Sequence, residues 1–336
     1  MIKKIKKYII DDFKINYKYY IGLTCILFLF IIKFDYYIYT PGSLVDLTDR
    51  IKVENSYESK GTFNLTYVSA LNANIPNIIL SFIIPTWDLV SMDDMRIEDE
   101  SEKEIVNRDK IHLKETSYNA IIAAFDEASI EYTIESTDVT VTYIYDEANT
   151  NVKVGDSIKK INNVSINSFK ELKEEIQKYN ENERITLEVQ RDNKIIECYA
   201  VLFKEEDNVL IGVTLSELKN ITTNPKVEYV FKDNESGSSR GLLCALDIYN
   251  KITPYDLTKG KTISGTGVIY EDGSVGAIDG VKYKLNGAVK KHADVFIVPS
   301  KNYEEAISLK EKYNYDIEII EADNLHNVIL KLKELN

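Results

Sequence analysis

From Asp294 to Pro299 the sequence reads DVFIVP, apolar after its first residue. Such a run is too short for a self-sufficient buried helix and suits a strand covered on both faces. A strand buried in that way needs helices packed against it, and the flanks supply them, with helical spacing from Val281 and again from Asn302. VLIGVTL, KVEYVFK, KTISGTGVIYEDGSVGAIDG and DIEIIEA add strands and turns, and a last helix starts at Asn324. Residues 206–336 therefore read as a domain of alternating strands and helices.

The pattern upstream is different. Between residues 130 and 205, short strands (YTIES, VTVTYIY, RITLEVQR, KIIECYAVLF) surround a single helix, SFKELKEEIQKY. Val154-Gly155-Asp156, Ile158, Ile161-Asn162 and the helix begun by Ser168 resemble a PDZ domain. The resemblance implies uptake of extended peptides by strand addition at a sheet edge. The usual Gly-Leu-Gly-Phe carboxylate-binding loop is missing, and its counterpart is expected near Asp138, Val139 and Thr140.

Residues 40–129 mix signals. TPGS (Thr40 to Ser43) is turn chemistry, and GTFNLTYVSA alternates like a half-buried strand. Asn74 to Val90 is apolar but broken by Pro76 and Pro85, which predicts a core segment or one near a membrane surface. Arg96 to Lys110 is a solvated charge run, and Ser117 to Ala128 reads as a helix capped by Ser117.

Charge is unevenly spread. The chain carries a net charge of −13, which argues against nucleic-acid binding, yet its first eighteen residues hold six lysines against two aspartates. Tyr19 to Ile32 is then free of charge, between Lys18 and Lys33. No small-residue cleavage site follows, so the reading is a basic cytoplasmic tail (1–18), an uncleaved transmembrane anchor (19–38) and an extracytoplasmic remainder. Fourteen residues fall short of the roughly 20 a bilayer requires, so the span must borrow its flanks.

The chemistry-bearing residues are few. His112, His292 and His326 lie outside any motif that presents a catalytic imidazole. Cys25, Cys198 and Cys244 have no metal-ligand or disulfide-framework spacing, HExxH is absent, and so is the GxxxxGK[ST] phosphate loop. No cofactor and no metal are expected. What remains is a pair of serines, Ser238 and Ser239, before the apolar helical segment that starts at Gly241, and a lysine after a glycine turn. A serine there is either a helix cap or a nucleophile beside N–H groups that can hold an oxyanion. A lysine whose pKa is lowered by burial can be its base. Lys282 opens a helix after Asp279-Gly280, and Lys284 competes with it; composition does not separate them.

The order Ser238-Ser239-Arg240-Gly241, Gly265-Thr266-Gly267 and Gly273 to Lys284 is similar to the Lon-type serine protease domain. That resemblance implies Ser239 as nucleophile, Lys282 as base, Thr266 as the hydroxyl beside them, and Gly237 and Ser238 as support for the oxyanion. Arg240 and Asp279 stand where the family commonly has alanine and glycine. The whole chain resembles the membrane-anchored PDZ and Lon-like proteases of Gram-positive bacteria. The implied fold class is α+β, with an N-terminal transmembrane helix and a PDZ-like module before the proteolytic domain. The implied activity is an ATP-independent serine endopeptidase acting on short or unfolded peptides or small membrane or secreted proteins. Its expected partners are a peptide substrate, the membrane and, through the ring assembly common to Lon-type domains, further copies of itself. A catalytically silent PDZ scaffold is the alternative.

Overall fold

The computed structural model describes residues 2–92, 101–231 and 237–335. These form two compact units, Met1–Gly42 with Val68–Arg96, and Ser43–Tyr67 with Ile97–Asn336.

The first unit holds helix α1 (Ile2–Ile31), the start of strand β1 (Tyr36–Asp46), the end of β2 (Thr62–Asn72), helix α2 (Ile75–Ile83) and β3 (Asp88–Ser91). β1 pairs antiparallel with β3, Tyr37 opposite Val90 and Tyr39 opposite Asp88. The Ala73 amide reaches the Tyr36 carbonyl at 3.1 Å.

The anchor expectation fails here. No helix among the described residues is long and apolar enough to cross a membrane. α1 contains thirty residues, but its lysine-rich N-terminal part belongs to the same helix. Only Tyr19 to Ile31 is free of charge, a rise of roughly 20 Å at 1.5 Å per residue, against a hydrocarbon core of about 30 Å. The flank that was to complete the span is no longer helical after Ile31 and is strand from Tyr36. The transmembrane helix, the single-pass topology and the outside placement of the remainder are therefore not supported.

α2 corrects a second expectation. Asn74 caps it by accepting from the Asn77 amide at 2.9 Å, Pro76 sits in the first turn where no donor is lost, and Pro85 follows its end. None of its residues is buried, and Phe82 is 80% exposed, so the segment is not part of the core.

The second unit contains strands of two larger sheets, together with three two-stranded ones. Helix α3 (Glu102–Glu127) starts at Ser101, which shares a reciprocal capping box with Glu104. Ser117 is thus inside the helix, not its cap, and donates its hydroxyl to the Leu113 carbonyl at 2.7 Å. Of the charge run, Glu102 to Lys110 is helical and Arg96 to Glu100 lies outside the described residues. Then come β4 (Tyr132–Ile144), β5 (Ser157–Ile161), helix α4 (Phe169–Ile176), β6 (Arg184–Arg191), β7 (Lys194–Val201) and β8 (Val213–Thr223). They pair antiparallel in the order β8-β4-β5-β6-β7, with Asn149–Thr150 at the far edge. Val139, Val141, Ile158, Leu172, Ile185 and Leu187 form the core of this module. Asp156 of the Val-Gly-Asp turn is 1% exposed and holds both Nε and Nη2 of Arg191 at 2.6 Å. Asp138 to Thr140 pair with β8 on one side, and Val139 and Thr140 pair with β5 on the other, so they form no terminal loop.

The other half of the unit comprises helix α5 (Gly241–Ile252), β9 (Thr262–Gly265), helix α6 (Val281–Lys290), β10 (Val295–Pro299), helix α7 (Ser300–Tyr313), β11 (Glu318–Ala322) and helix α8 (Leu325–Glu334). β11, β10, β9 and Thr62–Leu65 of β2 lie side by side and parallel. β10 is buried at every residue, as the DVFIVP run requires. The shared core joins Leu242, Leu246, Ile263, Val295 and Ile297 to Phe63 and Leu65 of β2 and to Ala120, Ala124 and Phe125 of α3. This half therefore draws on chain before residue 206, with Ser43–Tyr67 and α3 contributing to its core. β9 approaches β10 closely: a Cβ on Gly265 would lie 2.6 Å from the Ile297 carbonyl oxygen.

Candidate active site

Ser238 to Arg240 form one 3₁₀ turn that runs directly into α5. Gly237, just before it, has φ 126° and ψ 135°, a conformation essentially reserved for glycine. The turn has no side-chain cap, which removes the cap reading for Ser238 and Ser239. Its position is set by β9: the Ser239 carbonyl accepts from the Gly267 amide at 2.8 Å and from Thr266 Oγ1 at 3.2 Å, while the Leu242 amide reaches the Gly267 carbonyl at 3.0 Å.

The lysine that meets this turn is Lys284. Its Nζ lies 3.1 Å from Ser239 Oγ and 3.2 Å from Thr266 Oγ1. Lys284 is 6% exposed and Thr266 1%, whereas Ser239 is half-buried and open to a reactant. Burial pushes the Lys284 ammonium down to about 8, against an opposing pull from the Asp279 carboxylate. A lysine near neutrality, within proton-transfer distance of a serine at a helix N-terminus, can act as a general base.

Lys282 is elsewhere. α6 starts after Gly280, which is left-handed at φ 75°, and buries Val281, Lys284, Leu285 and Ala288. Positions 281, 284, 285 and 288 share one face of a helix, while 282 is turned about 100° from 281. Lys282 Nζ instead lies 5.7 Å from the centre of the Tyr283 ring. Of the two lysines, the structure brings Lys284 and not Lys282 to Ser239 and Thr266. The signal was in the sequence, in the register of Lys284 with Val281 and Ala288.

Arg240 also has a definite place. It is 6% exposed, donates Nη2 to Ser117 Oγ at 2.9 Å and to the Leu113 carbonyl at 3.4 Å, and its guanidinium lies 4.0 Å from the Phe231 ring centre. Ser239, Thr266 and Lys284 thus converge, with Gly237 and Ser238 on the approach to the turn. Among the described residues no group of acidic, histidine or cysteine side chains could hold a metal ion.

Residues 232–334 match the family model of the Lon protease (S16) C-terminal proteolytic domain, and residues 113–200 match the PDZ domain. The chain carries a PDZ domain and a Lon-type serine peptidase domain. No curated protein matches the chain. Two solved structures similar to it are the PDZ domain of the SdrC-like protein from Listeria monocytogenes and GtR34C from Geobacillus thermodenitrificans. The first is 19% identical over 26% of this chain and 93% of that one, with a TM-score of 0.22. The second is 22% identical over 24% and 98%, also with a TM-score of 0.22.

In the PDZ domain, α4 and the first residues of β8 flank a groove lined by Phe169, Leu172, Ile176, Val213 and Leu215. β8 stands at the end of the sheet order, so one of its edges is not taken by a strand of that sheet. Val227–Tyr229, ahead of the Ser238–Arg240 turn in the chain, pairs with Ile51–Val53 along one edge.

Proposed function

We propose that the chain is a Lon-like endopeptidase working through a Ser239–Lys284 dyad without ATP. The observation that carries this reading is the 3.1 Å approach of Lys284 Nζ to Ser239 Oγ, in a setting that lowers the lysine's pKa. Ser239 Oγ attacks the peptide carbonyl as neutral Lys284 takes its proton, and the carbonyl electrons move onto the oxygen. Main-chain N–H groups of the Gly237 to Ser239 segment, at the N-terminus of α5, hold that oxyanion. Lys284 then gives its proton to the leaving amine, and water hydrolyses the acyl-enzyme by the reverse sequence. Thr266 holds Lys284 Nζ and the Ser239 carbonyl together, so it fixes the distance between donor and acceptor.

No phosphate-binding loop occurs in the sequence. An endopeptidase that works without ATP acts on chains that are already extended, and the groove beside β8 is suited to bring one in by strand addition. The test incubates the full chain with an unfolded polypeptide, with and without ATP, beside Ser239→Ala, Lys284→Ala and Lys282→Ala variants. Cleavage indifferent to ATP, abolished by the first two changes and kept by the third, supports the reading. Cleavage that survives Ser239→Ala sinks it.

A further inference from the structure

The nucleophile turn is held from two sides, and only one of them belongs to the dyad. On the first, Thr266 and Gly267 bind the Ser239 carbonyl. On the second, Arg240, the next residue, reaches away from the dyad to the Leu113–Tyr118 turn of α3. Its contact there is specific: Ser117 Oγ gives its own hydrogen to the Leu113 carbonyl and so offers a lone pair to the guanidinium. Phe231 stacks on the guanidinium, and the Tyr229 hydroxyl donates to the Ser117 carbonyl at 2.7 Å.

The same turn of α3 holds the PDZ domain. Ser216 Oγ donates to Glu115 at 2.5 Å, and the Tyr118 hydroxyl donates to the Glu217 carbonyl. Both partners are on β8, the strand that borders the groove. One helical turn therefore carries the anchor of the nucleophile on one side and the PDZ edge strand on the other. Gly237 and Gly241 bracket the nucleophile turn, and no side chain caps it, so the local backbone does little to restrict it.

We propose that Arg240 is a positioning residue: by clamping the nucleophile turn onto Ser117 and Leu113 of α3, it holds Ser239 in attacking register and ties that register to β8. This inference rests on the dyad reading. The guanidinium of Arg240 reaches Ser117 and Leu113 of α3 while Ser239 Oγ reaches Lys284, so its loss displaces Ser239 without altering the base. A displacement on the order of 1 Å costs roughly 10²-fold in turnover.

The test is a double-mutant cycle on the full chain with Arg240→Met, Ser117→Ala and both together, plus Arg240→Lys, with peptide cleavage followed across pH. Arg240→Met is expected to lower kcat by roughly 10²-fold, with KM changed little and the pH midpoint still near 8. Ser117→Ala is expected to have a smaller effect that is largely absorbed in the double variant. Arg240→Lys, which keeps a cation for Ser117, recovers part of the loss. An unchanged kcat in Arg240→Met, or effects of the two changes that simply multiply, overturns the clamp while leaving the dyad intact. A second measurement is independent of turnover: in a Ser239→Ala background, Arg240→Met should speed amide exchange at Gly241 and Leu242 by about tenfold or more, as local opening becomes easier. Equal exchange overturns the proposal whether or not any peptide is cut.

Discussion

Lys284 and Ser239 are 45 residues apart in the chain, and their side chains meet at 3.1 Å. The lysine arrives there as the inward face of α6 and the serine as the entry to α5, with Thr266 at the end of β9 between them. The buried amine connects catalysis to stability.

Activity should follow the deprotonation of Lys284. With its pKa pushed down to about 8, the base is largely protonated at pH 6.5 and largely neutral at pH 9. We expect kcat/KM for a peptide to rise about tenfold per pH unit well below pH 8 and to level off above it. A flat profile between pH 6.5 and 9 would contradict Lys284 as the base.

The same shift has a cost in stability. The folded-state pKa lies below the unfolded value of 10.5, so between about pH 8 and 10.5 the unfolded chain binds more protons and stability rises with pH. Below pH 8 the full penalty applies, about 3 kcal/mol for a shift of this size. Lys284→Met should therefore abolish cleavage and raise the urea midpoint at pH 7, with the gain shrinking toward pH 10. Lys282→Met should do neither.

Thr266→Val keeps the shape of a side chain that is 1% exposed and removes the hydroxyl bridging Lys284 and the Ser239 carbonyl. The buried amine loses a partner, at about 1–2 kcal/mol. We expect kcat to fall on the order of tenfold to a hundredfold as the dyad loosens, with a modest drop in Tm. A variant with full kcat would remove Thr266 from the mechanism.

In the PDZ domain, Arg191→Met takes the two-point guanidinium from the carboxylate of Asp156, which is 1% exposed and keeps the Lys153 amide as a donor at 2.8 Å. Breaking one side of a buried ion pair costs about 3–5 kcal/mol. Urea unfolding should show that loss, and the double change Arg191→Met with Asp156→Asn should recover part of it.

Local patterns carried much of this architecture. The DVFIVP run is a wholly buried strand, and Ser239 and Thr266 meet because the spacing of their motifs reflects a turn and a strand end that pack together. The choice of lysine needed one more step, because Lys282 and Lys284 differ in helical phase, and phase shows only against the buried Val281, Leu285 and Ala288. The apolar run after Lys18 was misleading for a geometric reason: the helix extends backward into charged residues and ends at Ile31, so its apolar length stays short. Ser117 resembles a cap, yet α3 is capped by Ser101, and Ser117 instead receives a hydrogen bond from Arg240, 123 residues away. Nothing local could reveal that contact, or the pairing of Thr62–Leu65 with Thr262–Gly265.

That pairing places the PDZ match, residues 113–200, between two stretches of one parallel sheet. Synthesised from the N-terminus, the chain completes the PDZ segment while Phe63 still waits for Ile263 and Leu65 for Gly265. Only when the last third of the chain appears can the parallel sheet close and the dyad form. The sheet that leads into Thr266 thus closes only after the PDZ domain has been made, and a chain begun at residue 206 would lack the strand on which its own sheet closes.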